Sequence, residues 1–166
     1  MLHIFVDADA CPVKGEVYRV AARYDLDVTL VAGSWMRRPE SPRIRLEVVG
    51  EGIDVADDWI VEHVKAGDIV VTADIPLAAR CLARGATVIG YAGPPFTAAN
   101  IGVALATRGL LAELRDLGEM TGGPPPFTKR DRSSFLQRLD ESINAIRRRA
   151  GGETGARGSG FGVQRD

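Results

Sequence analysis

Five short apolar runs fall before residue 90, at Leu2 to Val6, Val28 to Ala32, Ile44 to Val48, Ile69 to Val71 and Ala86 to Ile89, and segments of helical spacing separate most of them. A strand, a helix and a second strand close most readily as a parallel pair, with the helix packed back across the sheet in a right-handed crossover. Repeating that unit puts helices on both faces. The expected fold class is therefore α/β, a three-layer sandwich around a mostly parallel five-stranded sheet. A strand order of 3-2-1-4-5 would make strands 1 and 4 neighbours whose outgoing chains diverge. Such a topological switch point opens a crevice at the carboxyl ends of the strands.

Local signals place the elements. Pro12 suits the first turn of a helix running to about Arg23. Ile44, Leu46 and Val48 alternate with Arg45 and Glu47, as on a half-exposed edge strand. Asp54 stands where an N-cap belongs, before a helix carrying Val55, Trp59, Ile60 and Val64 and ending at Gly67. Pro76 opens a helix to Arg84, stopped by Gly85. After Gly93-Pro94-Pro95 the alternation ceases. Thr97 can cap a helix over Ile101 to Arg108, continued by Leu110 to Leu117 after a break at Gly109. The run Gly122 to Pro126 is too stiff and too poor in N–H groups for regular structure. Thr128 and Asp131 have capping-box spacing for a last helix ending near Arg149. The expected organisation is one domain over residues 1–150 and a Gly-rich, disordered tail over 151–166.

The 166 residues suit one hydrophobic core, and 45% hydrophobic with 26% charged residues is the balance of a globular protein in water. No apolar run approaches the ~20 residues that span a bilayer, and no basic stretch precedes an apolar core as in a signal peptide, so a cytoplasmic protein with no membrane partner is expected. Cys11 and Cys81 lack metal-ligand or disulfide spacing, and His3 and His63 are equally isolated, which argues against zinc. A net charge of −1 gives no global pull toward nucleic acid. Local basic clusters remain, at Arg37, Arg38, Arg43 and Arg45, and at Lys129, Arg130 and Arg132. Such clusters most often mark solvated faces.

Acids gather where the crevice is expected. Asp7 and Asp9 follow the first strand, Asp54, Asp57 and Asp58 open the helical segment before the fourth strand, and Asp74 follows the fourth strand. Singly, each is explained by capping or turn chemistry. Jointly, carboxylates crowded into one crevice repel one another, and a hard cation such as Mg²⁺ or Mn²⁺ relieves that repulsion. Lys14 could meet a phosphate there, and Trp35 and Phe127 could stack a base or simply pack the core. Cys11 sits beside negative charge, which raises a thiol pKa and disfavours a nucleophilic role.

The stretches DADACPVK (Asp7 to Lys14), DVAD (Asp54 to Asp57), GDIVVTADIPLAA (Gly67 to Ala79) and GGPPPFTKRDRSSF (Gly122 to Phe135) resemble the YaiI/YqxD family of uncharacterised bacterial proteins. The resemblance spans about Leu2 to Leu139. It implies a fold similar to PIN-like nuclease domains, with Asp7, Asp57 and Asp74 as ligands of Mg²⁺ or Mn²⁺ and Asp9 as a further catalytic or water-orienting group. It also implies a metal-dependent phosphodiesterase acting on RNA, with Lys14, Arg37, Lys129, Arg130 and Arg132 as candidates for binding the substrate phosphates. Two other readings are compatible with the residues. One is a non-catalytic RNA- or nucleotide-binding module. The other is a haloacid-dehalogenase-type phosphatase with Asp7 as nucleophile, for which Asp68, lying before its strand, is a poor match to the required later acids.

Overall fold

The computed structural model describes residues 2–118 and 126–157. Its elements run β1 (His3–Asp7), α1 (Lys14–Arg23), β2 (Asp27–Ala32), β3 (Ile44–Val48), α2 (Val55–His63), β4 (Ile69–Val71), α3 (Ile75–Ala83), β5 (Thr87–Ile89), α4 (Ile101–Asp116) and α5 (Lys129–Arg157). All strand pairs are parallel, in the order β3-β2-β1-β4-β5. The fold is α/β and three-layered, as the alternation of strands and helices suggests.

Strand periodicity distributes the core. Ile4 and Val6 of β1, Val28 and Leu30 of β2, Ile69 and Val71 of β4 and Ile89 of β5 pack on the face covered by α1 and α5, with Val13, Val17, Val20, Phe135, Leu139 and Ile143. The intervening Phe5, Val31, Val70 and Val88 face the other layer, against Ile60 of α2 and Leu77, Ala78 and Cys81 of α3. Burial on both faces explains why β1, β2 and β4 read as continuous apolar runs. The chains leaving β1 and β4 pass to opposite sides, α1 to one face of the sheet and α3 to the other, so β1 and β4 flank the switch point.

Several boundaries differ from the expected ones. Asp54 does stand at the N-cap of α2, but at a left-handed φ of 64° and without a side-chain capping bond. The helix stops at His63 rather than Gly67, because the buried Val64 turns to extended backbone. Asp68 secures that turn by accepting from the N–H of Lys65 at 2.9 Å and of His3 at 3.0 Å. Asn100, not Thr97, is the N-cap of α4; the two residues exchange side-chain to backbone bonds of 2.8 and 3.1 Å. The helix passes through Gly109 without a break, at a propensity cost of about 1 kcal/mol that a long helix tolerates. Thr128 and Asp131 form the expected reciprocal pair, at 2.9 and 3.1 Å. Helix α5 continues past Arg149 and Gly151 to Arg157. Gly122 to Pro125, most of the run expected to lack regular structure, and the last part of the tail, 158–166, lie outside the described residues. Among the described residues no helix is long and apolar enough to cross a membrane.

Candidate functional site

The register Val6↔Val71 brings Asp7 alongside Thr72 at the ends of β1 and β4. By strand alternation both side chains fall on the α2/α3 side of the sheet. Thr72 is fully buried, and its hydroxyl donates to Asp7 Oδ2 at 2.8 Å while accepting from the Asp74 N–H at 3.0 Å. Asp74 in turn N-caps α3, its Oδ1 accepting from the Leu77 N–H at 2.9 Å, with Pro76 in the first turn. A single hydroxyl thus ties the two strand-ending acids together.

Asp57 enters from the first turn of α2, and its pKa is pushed up to about 6, chiefly by burial and then by the charges of Asp74, Asp7 and Asp54. Burial also raises Asp7; the Thr72 bond opposes that, and Asp74 and Asp9 reinforce it. Carboxylates from β1, α2 and the β4–α3 junction therefore lie within one another's field. Arg80 of α3 partly offsets these charges at Asp57, and it also pairs with Asp58 at 2.9 Å. No local motif marks Arg80 in the sequence, although it lies on the helix that Asp74 caps.

Asp9 faces a neighbouring hollow. Its Oδ2 accepts from the Gly33 N–H at 3.0 Å, where a cavity of about 250 Å³ is lined by Gly33, Ser34, Gly50, Glu51, Gly52 and Ala56. Glu51 is a further acid at this edge, and position after β3 was the signal that could have found it. Tyr91, following β5, also reaches the site: its hydroxyl donates to the Asp7 carbonyl at 3.3 Å.

The expected cations divide. Lys14 turns its Nζ onto the carbonyls of Cys11 at 3.2 Å and Ala8 at 3.4 Å, so it braces the Asp7–Cys11 loop. Arg132 is likewise engaged, donating from Nη1 to Pro12 O at 2.6 Å and to Glu16 at 3.4 Å, with its guanidinium 5.1 Å from the centre of the Phe127 ring. Arg37, in the β2–β3 loop, and Lys129 and Arg130, in the first turn of α5, are exposed. Cys11 has the expected raised pKa, but burial is the main cause and Asp7 a minor one. His3 and His63 are not isolated: both line one hollow with Phe5 and Trp59, and the Trp59 and His63 rings stack at 3.7 Å. Asp68 stands before β4, at the opposite end of the sheet from Asp7, with both oxygens accepting backbone bonds, so it lends the phosphatase reading no support.

Asp7, Asp57 and Asp74 share a field but not a closed cage. Among the described residues no group of three His, Cys, Asp or Glu side chains is placed to hold a metal ion. Asp7 Oδ1, Asp74 Oδ2 and the Asp57 carboxylate have no hydrogen bond within the described residues. This all-oxygen donor set fits Mg²⁺ or Mn²⁺ in the manner such ions prefer, held through one or two carboxylates with several waters retained.

Comparison with known proteins places the sequence. Residues 5–145 match the family described as uncharacterized BCR, YaiI/YqxD family. A UPF0178 protein of Rhodopseudomonas palustris (strain CGA009) is 56% identical over 154 residues, covering 93% of this chain and 98% of the relative. UPF0178 proteins of Bradyrhizobium diazoefficiens and Nitrobacter winogradskyi are each 54% identical, over 88% and 89% of this chain and 87% and 94% of their own. No solved structure matches. The chain belongs to the YaiI/YqxD family.

Proposed function

We propose that the chain is a metal-dependent phosphodiesterase of PIN-like type acting on RNA, with its reaction centre at the β1–β4 switch point. The observation that supports it most is the Thr72 bridge, which holds Asp7 beside Asp74 while the field of both acts on Asp57. Asp7 and Asp74 would hold Mg²⁺ or Mn²⁺, with Asp57 as a third donor. When bound, such an ion lowers the pKa of a coordinated water and polarises a phosphoryl oxygen.

The residues themselves contribute orientation and charge. Thr72 fixes the rotamer of Asp7, and the α3 N-terminus fixes that of Asp74. Asp57, its pKa pushed up to about 6 by burial and by the neighbouring acids, is the carboxylate whose charged form a cation at this edge would favour most. The N-termini of α2 and α3 bring partial positive charge to the acidic edge and to an incoming phosphate. Exposed Arg37, Lys129 and Arg130 are available to the RNA backbone further out, whereas Lys14 and Arg132 shape the loop.

The test is cleavage of labelled single-stranded RNA by purified protein with Mn²⁺. Turnover lost in Asp7→Asn and in Asp74→Asn supports the reading; turnover persisting unchanged in both sinks it. The exposed Arg37, Lys129 and Arg130 also support one other reading, an RNA-binding module without catalysis. That reading predicts a salt-sensitive gel shift with no product in the same sample.

A further inference from the structure

A cavity of about 760 Å³ opens beside Asp74, lined by Tyr91, Phe96 and Phe127, by Ala73 and Ile75 on either side of Asp74, and by Ala10 and Pro12 just after Asp9. We propose that this aromatic cavity seats a nucleobase of the nucleic acid whose phosphate lies at the acidic edge. The inference rests on the phosphodiesterase reading for its direction and extends it to a substrate subsite.

Continuity with the acids identifies the occupant. A ligand phosphate near Asp7 and Asp74 places its adjoining nucleotide within reach of a hollow that shares their backbone, and the volume falls in the range of small-ligand pockets. Tyr91 belongs to both, since it walls the cavity and bonds the Asp7 carbonyl. The rings are held in advance. The Phe96 N–H donates to Val88 O at 3.0 Å, and Gly90 approaches so closely that a Cβ there would lie 3.2 Å from the Phe96 ring. Phe127 is covered by Arg132, itself anchored on Pro12 O. Rigid aromatic walls favour a flat ligand with apolar faces, as every base has. Asp131 also lines the cavity and spends only Oδ2 on the Thr128 N–H, which leaves Oδ1 as an acceptor for an exocyclic amino group. Adenine, with its N6 amino group, combines both features, whereas a bare sugar phosphate uses neither.

The probe is adenosine, titrated in EDTA against the full chain by NMR, with ribose as the control. Saturable shifts confined to the Tyr91, Phe96 and Phe127 ring signals are expected with adenosine and none with ribose. Phe127→Leu, which keeps an apolar side chain but cannot stack, should weaken adenosine binding about fivefold or more. Asp74→Asn should bind adenosine normally while failing to cleave RNA, so the subsite and the hydrolytic reading fail separately. Adenosine binding no better than ribose, shifts located elsewhere, or undiminished affinity in a folded Phe127→Leu protein would each overturn the proposal.

Discussion

Thr72 donates its hydroxyl to Asp7 across the β1–β4 pair at 2.8 Å, from a position with no solvent exposure. The half-buried Asp7 carboxylate on one side and the Asp74 N–H on the other both depend on that single oxygen. Thr72→Val keeps the shape but orphans both groups, and should cost about 1–3 kcal/mol in chemical denaturation. The Asp7 pKa, already raised, should rise further, because the lost bond is the one that favours its charged form. Thr72→Ser should recover most of both effects. Carboxyl NMR titration gives the second readout.

Asp57 sets a pH dependence with a definite sign. Its pKa in the fold is about 6, above the ~4 of an unfolded aspartate, so the folded chain holds that proton more tightly. Stability should therefore fall as pH rises between those values, with the full penalty above about 6. Asp7 is shifted in the same direction. Urea midpoints at pH 4.5 and pH 8 should show the drop in the wild-type chain and a smaller one in Asp57→Asn, and Mg²⁺ should raise the wild-type midpoint at pH 8 but not at pH 4.5.

Arg132 and Arg130 should separate by phenotype although they are near neighbours in one basic cluster. Arg132 fastens α5 to the loop after Asp9 through Pro12 O, so Arg132→Ala should lower stability by about 1 kcal/mol, a value tempered by its partial exposure. Arg130→Ala should leave stability within about 0.5 kcal/mol and reduce RNA affinity together with its salt dependence. Thermal melts paired with gel shifts at two salt concentrations distinguish them.

Gly85 offers a control remote from the acids. It ends α3 at a φ of +86°, where an added Cβ would also lie 3.0 Å from Ala66 Cβ. Gly85→Ala should destabilise by about 1–2 kcal/mol from the left-handed backbone alone, read by denaturation, with RNA cleavage unchanged at a temperature where the variant is folded.

The sheet was legible because β1, β2 and β4 are buried on both faces and carry little but apolar residues, and because Pro12 and Pro76 mark helix starts that follow strand-ending acids. Asp7 and Asp74 were legible for the same reason, as the residues on which two neighbouring strands end. What escaped were interactions between distant segments. Nothing local tells that the Thr72 hydroxyl bridges two acids, that Arg132 serves a carbonyl 120 residues away, or that Tyr91 after the last strand returns to Asp7. His3 and His63 looked solitary because their meeting depends on α2 lying across β1. Gly109 suggests a break, but one glycine is too weak a signal to interrupt α4.

The central claim is that carboxylates from separate segments hold a divalent ion at the β1–β4 edge. A crystal of the chain soaked in Mn²⁺, with anomalous diffraction recorded for wild type and Asp7→Asn, tests it most directly. The claim predicts a peak about 2.0–2.3 Å from Asp7 or Asp74 oxygens, typical of such ions, that vanishes in the variant. No peak at that edge, or an unchanged one in Asp7→Asn, would contradict it.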